Sequence, residues 1–151
     1  MNGLIAIVVI LGALFSLLQL GGDFVQYWDF FSLIFIICLT ASSTLIAFGG
    51  DGLMKSLMGF RFLFSGDLAE SKATDQLAFI YRKQIWFSYG AALIAVIIGS
   101  ISIHSSKDIL ANPDLFHPSY AVNIIVLLYS AILSEVFFRP LAAKLEASRI
   151  L

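Results

Sequence analysis

Four stretches of this chain run for about twenty residues with almost no charge, and that feature restricts the fold more than any other. A helix of about 20 apolar residues crosses a hydrocarbon core about 30 Å thick. In lipid, only helices and closed barrels satisfy their own backbone hydrogen bonds. The first stretch covers 3–20, with Ser16 and Gln19 its only clearly polar members. The second covers 30–50, between Asp29 and Asp51. The third covers 85–103, between Lys83 and Lys107, and the fourth covers 119–138, stopping at Arg139-Pro140. The chain is 60% hydrophobic and 13% charged, against about 45–50% and about 25% for soluble domains. The expected fold is therefore all-α: one integral membrane domain over 1–151 with four transmembrane helices and an inner loop at 51–83. The start Met-Asn-Gly lacks Lys and Arg, and no A-x-A site follows the first run. That run is read as a permanent span rather than a cleaved signal peptide.

Lys and Arg placement orients the spans. Lys55, Arg61, Lys72, Arg82 and Lys83 lie between spans two and three, and Arg139, Lys144 and Arg149 lie after span four. The other two loops hold only Lys107. The inner loop and both termini are expected in the cytoplasm. Tyr27 and Trp28 mark the outer end of span two, while Tyr81, Trp86 and Tyr89 mark the inner end of span three, where rings favour the headgroup layer. In the inner loop, Gly49-Gly50-Asp51-Gly52 breaks or caps span two. Leu53 to Phe64 reads as a helix at the membrane surface. Asp67 and Glu70 resemble a capping box, from which one helix would run directly into span three. No room remains for a separate soluble domain.

Several functions are excluded at this level. The net charge of −1 offers no basic stripe for nucleic acid. The one cysteine, Cys38, sits in an apolar run and reads as a packing residue. His104 and His117 lack the companions and spacing of a metal site. No nucleophile–base pair or cofactor motif is visible, so the chain does not read as an enzyme.

The helix faces carry the remaining signal. Ala91, Ala95 and Gly99 form a small-residue stripe on span three, which suits either close packing on neighbouring helices or a smooth wall around a partner helix. Asn123, Ser130 and Ser134 fall on one side of span four, within about 40° at 100° per residue. Interhelical hydrogen bonding and a wet path both fit that line. Glu135 is the only acidic or basic side chain inside a span, about 6 Å from Arg139 along the helix. It reads either as an anchor paired with Arg139 or as an ion-handling carboxylate. No Asp, Lys, Arg or His lies near the middle of any span, so any proton passage would need a titratable group from a second chain.

The C-terminal quarter reads Ala121-Val122, Leu128-Tyr129 and Pro140-Leu141-Ala142-Ala143-Lys144-Leu145. This resembles the pattern A-V-x(7)-L-Y-x(8)-P-[IL]-A-x-K-L that closes span four in the MotA branch of the MotA/TolQ/ExbB family. Gly21-Gly22, Ser32 and Thr40 match that family's early positions, with Cys38 and Leu39 in place of its usual glycines. The resemblance implies a homopentamer in the bacterial inner membrane, surrounding a dimer of single-span MotB/TolR/ExbD-like partners that carry a membrane aspartate. It implies a stator-like subunit that couples proton flow to motion of the partner. Ala91, Ala95, Gly99, Asn123, Val126, Leu127, Ser130 and Ser134 would line the pore or partner helix, and Pro140 would end span four at a cytoplasmic gate. Tyr89 stands where the family usually has proline. Val126 and Leu127 stand where it usually has threonine, which favours protons over sodium. The short inner loop omits the large domain by which flagellar members touch a rotor. A non-conducting scaffold of the same architecture is the alternative, favoured by the apolar side chains of Val126 and Leu127.

Overall fold

The computed structural model describes residues 2–20, 27–63 and 72–147, all but Trp28, Asp29, Ser106 and Asn112 of them helical. The order is α1 (Asn2–Leu20), α2 (Phe30–Gly59) with a 3₁₀ turn (Phe60–Leu63), α3 (Lys72–Ser105), α4 (Lys107–Ala111), α5 (Pro113–Ala131), a π-helical segment (Ile132–Phe138) and α6 (Arg139–Ala147). Three helical stretches, at 30–63, 74–105 and 113–147, are long and apolar enough to cross a bilayer. Most large apolar side chains on them face outward, as Ile46, Ile97 and Ile101 do. An outward apolar surface of this extent is the mark of a chain whose solvent is lipid.

Each helix begins and breaks for a local reason. Asp29 caps α2, its carboxylate accepting the Phe31 N–H at 3.1 Å and the Ser32 hydroxyl. Ser106 caps α4 through Ile109. Asn112 caps α5, with Pro113 in the first turn, where a missing N–H costs nothing. The expected break in span two falls at Gly49, with φ 70° and ψ −178°, a region essentially restricted to glycine. Helix resumes at once, and Gly52, Ser56 and Gly59 of this second segment are buried. Gly59 meets Tyr81 and Leu77 so closely that a Cβ would lie 2.8 Å from Leu77 Cδ2. This segment, expected at the membrane surface, is therefore clamped against α3.

α3 is one helix of 34 residues, about 51 Å long at 1.5 Å per residue. It includes the expected span at 85–103 and the approach to it. The Asp67–Glu70 cap and Gly21-Gly22 lie outside the described residues. Two expectations change. Tyr81 was read as an interfacial ring, but it is fully buried, donating a 2.6 Å hydrogen bond to the Ser56 carbonyl. Its ring sits 6.0 Å from both Phe60 and Phe138. Pro140 does not end the helix, because helical structure runs through it to Ala147. A proline ring crowds the carbonyl four residues back in a regular α-helix, and the wider π turns lie immediately before it.

α3 packs antiparallel to both α2 and α5, with α1 contributing Ile7 to the contacts. Near Tyr81 lies an apolar base of Leu77, Tyr81, Ile85, Phe138, Leu141 and Leu145. A smaller apolar waist of Ile36, Ala91, Ala92 and Val126 lies further along. Between the two lie buried polar side chains.

Candidate functional site

The polar layer is built from one side of each long helix. Thr40 and Thr44 on α2, Gln84 and Ser88 on α3, and Ser130 and Ser134 on the last stretch are all at most 4% exposed. The pairs are spaced by four residues, so each forms one stripe. On the last stretch the same side must hold Ser130, Ser134 and Phe138. In a regular α-helix, steps of four drift by about 40° each. The π turns, with more residues per turn, reduce that drift, so all three side chains remain buried.

Hydrogen bonds link the layer across helices. Gln84 Nε2 donates to Thr44 Oγ1 at 3.1 Å and to Ser56 Oγ at 3.0 Å. Thr44 donates to the Thr40 carbonyl at 2.8 Å. Ser88 and Ser130 hydroxyls meet at 3.0 Å. Thr40 Oγ1, Gln84 Oε1 and Ser134 Oγ are buried without a partner. A buried polar atom left in that state costs about 1–3 kcal/mol.

Beyond the waist, toward His104, α2, α3 and α5 separate around a cavity of about 600 Å3. Its walls include Ser32, Ala95, Gly99, Val122, Asn123 and Val126. Asn123 reaches across to donate to the Val96 carbonyl at 3.3 Å and to Ser100 Oγ at 3.0 Å. Gly99 makes room for it, since a Cβ there would lie 2.7 Å from Asn123 Cγ.

The sequence-derived residues thus divide by depth. Ser32, Ala95, Gly99, Asn123 and Val126 share the cavity. Ala91 is 2% exposed and packs in the waist beside Val126. Thr40, Ser130 and Ser134 belong to the closed polar layer, and Leu127 faces outward. The small-residue stripe therefore serves contact between helices of this chain at Ala91 and Gly99. Thr44, Ser56 and Gln84 were missed. Thr44 stands four residues after Thr40, a spacing visible in the sequence, whereas Gln84 lies one residue before the expected span and Ser56 beyond the Gly49 break.

Glu135 points away from this layer. Its carboxylate accepts from Tyr89 Oη at 2.8 Å and pairs with Arg139 at 2.6 Å. Arg139, Tyr89, Arg82 and Trp86 line a second cavity of about 430 Å3. The anchor geometry read for Glu135 is present. His104 and His117 both pack against the ring of Phe116, and among the described residues no group of three metal-ligating side chains occurs. No protein-family model matches the chain and no curated protein matches it.

Proposed function

We propose that this chain is the ring-forming membrane subunit of an ion-driven motor complex of the MotA/TolQ/ExbB kind. In this reading it has four spans with both termini in the cytoplasm of a bacterial inner membrane. Five copies surround a dimer of single-span partners, and proton flow through the complex moves the partner. The observation that carries the reading is the uncharged interior. Among the described residues, no Asp, Glu, Lys, Arg or His lies within 30–48, 85–103 or 119–134. Proton passage at that depth needs a titratable group, and a partner carboxylate would supply it. The broad outward apolar surface leaves room for neighbouring copies as well as lipid.

The scaffold reading draws on a different observation. Ala91, Gly99 and Ser130 are already engaged within one protomer, which leaves less of the stripe for a partner helix. Proton flux separates the two. The chain and a candidate single-span partner carrying a membrane aspartate are co-reconstituted in liposomes under a pH gradient. The motor reading expects flux that vanishes when the partner's membrane aspartate becomes asparagine. A complex that forms but passes no protons makes the chain a scaffold. A detergent-purified chain that remains monomeric, with no companion, removes both.

A further inference from the structure

The three buried oxygens without partners lie on three different helices, and the packing register draws them together. Gln84 faces Thr44 across α2 and α3, which sets Ser88 opposite Thr40, one turn along. Ser88 faces Ser130, which sets Gln84 opposite Ser134. Thr40 Oγ1, Gln84 Oε1 and Ser134 Oγ thus fall within two adjacent turns of the same core layer. Among the described residues, no other buried side-chain oxygen or nitrogen lacks a partner. The layer is bounded by Ile36 and Val126 at the waist and by Tyr81 and Phe138 at the base.

We propose that this layer is an occluded hydration site, holding ordered water that bridges Thr40, Gln84 and Ser134 inside each protomer. The chemistry selects a neutral guest. Gln84 Oε1 only accepts, whereas the two hydroxyls both donate and accept. A water molecule donates to the amide oxygen and joins both hydroxyls, within the two to four bonds that buried waters make. A cation would face three neutral oxygens and no carboxylate, an uncompensated charge in a low-dielectric interior. The π turns at Ile132–Phe138 hold Ser134 toward the layer, and such turns often mark functional positions. The inference rests on the fold of one protomer and not on the ring or its partner.

Water-edited solid-state NMR tests it, on the full chain in liposomes with glutamine side chains labelled. Magnetisation from water is expected to reach the Gln84 amide, identified by its loss in Gln84→Met. Exposed Gln76 serves as the positive control and the Val126 methyls as the dry control. Thr40→Val and Ser134→Ala, singly, are expected to remove most of that transfer and to lower the melting midpoint. Wild-type transfer to Gln84 no greater than to Val126 overturns the proposal. So does a rise in melting midpoint in both variants, since it means that the oxygens were bare. A Gln84 signal that shifts with sodium concentration overturns it in favour of a cation. The wild-type measurement decides the matter even if a variant does not fold.

Discussion

Two glycines and one tyrosine set the shape of the α2–α3 contact. Gly49 occupies a backbone region that side chains avoid, at a cost of about 1–3 kcal/mol for a non-glycine residue. It has nothing within 4 Å of where a Cβ would stand, so Gly49→Ala isolates backbone strain from packing. It should lower thermal stability by about that amount, measured as a melting midpoint in mild detergent. Gly59 is the opposite case. Its backbone is ordinary, but a Cβ would strike Tyr81 and Leu77, and fully buried Tyr81 has nowhere to go. Gly59→Ala should cost about 1–3 kcal/mol by overpacking. Gly99→Ala should cost less, although its Cβ meets Asn123 as closely. The half-buried Asn123 amide can swing aside, forfeiting interhelical hydrogen bonds that average about 0.6 kcal/mol in membranes. Equal losses at 59 and 99 would refute the idea that the freedom of the opposing side chain decides the outcome.

At the scale of elements, Gln84 has the widest reach. One amide nitrogen on α3 holds Thr44, before the Gly49 break, and Ser56, after it. The bend in α2 is therefore fastened from outside rather than by α2 itself. Gln84→Met preserves volume but removes both donors. Hydrogen exchange should then rise across 50–63 with little change across 30–43, whereas uniform protection would show that the glycine contacts suffice. Tyr81 and Lys144 limit the effect. The first bonds the Ser56 carbonyl, and the second donates to the Phe62 carbonyl at 2.6 Å. The sequence makes part of this legible. Apolar run length locates the long helices, and glycine chemistry locates the break, because both are local properties. Ser130 and Ser134 announce themselves by spacing. Gln84 does not, since a polar residue at the edge of an apolar run looks like its flank until the partner helix is in place. The buried position of Tyr81 and the π turns are equally hidden, because each follows from what packs opposite.

For the whole molecule, the governing relation is between helix length and bilayer thickness. The chain contains two tryptophans, Trp28 and Trp86, and both are well exposed. Trp28 lies just ahead of α2, and Trp86 lies near the Arg139 end of the antiparallel α3. From Trp86 to the end of α3 at Ser105 is 19 residues, about 28 Å, close to the hydrocarbon thickness of about 30 Å. Exposed aromatic rings collect at the headgroup boundary, so the Trp86 indole should sit at one face of the membrane. Trp28 is held further along the bundle, because Tyr129 Oη accepts the Asp29 N–H at 2.7 Å and donates to the Tyr27 carbonyl at 2.5 Å. Brominated phospholipids measure the depth of Trp86 directly, because bromine quenches tryptophan fluorescence only at short range. In the Trp28→Phe protein, which keeps Trp86, lipids brominated near the headgroup should quench more strongly than lipids brominated near the chain ends. Strong quenching of Trp86 by the deep bromines would mean that α3 lies along the membrane rather than across it. The uncharged stretches at 30–48, 85–103 and 119–134 would then no longer cross the hydrocarbon, and the need for a carboxylate from a second chain would disappear as well.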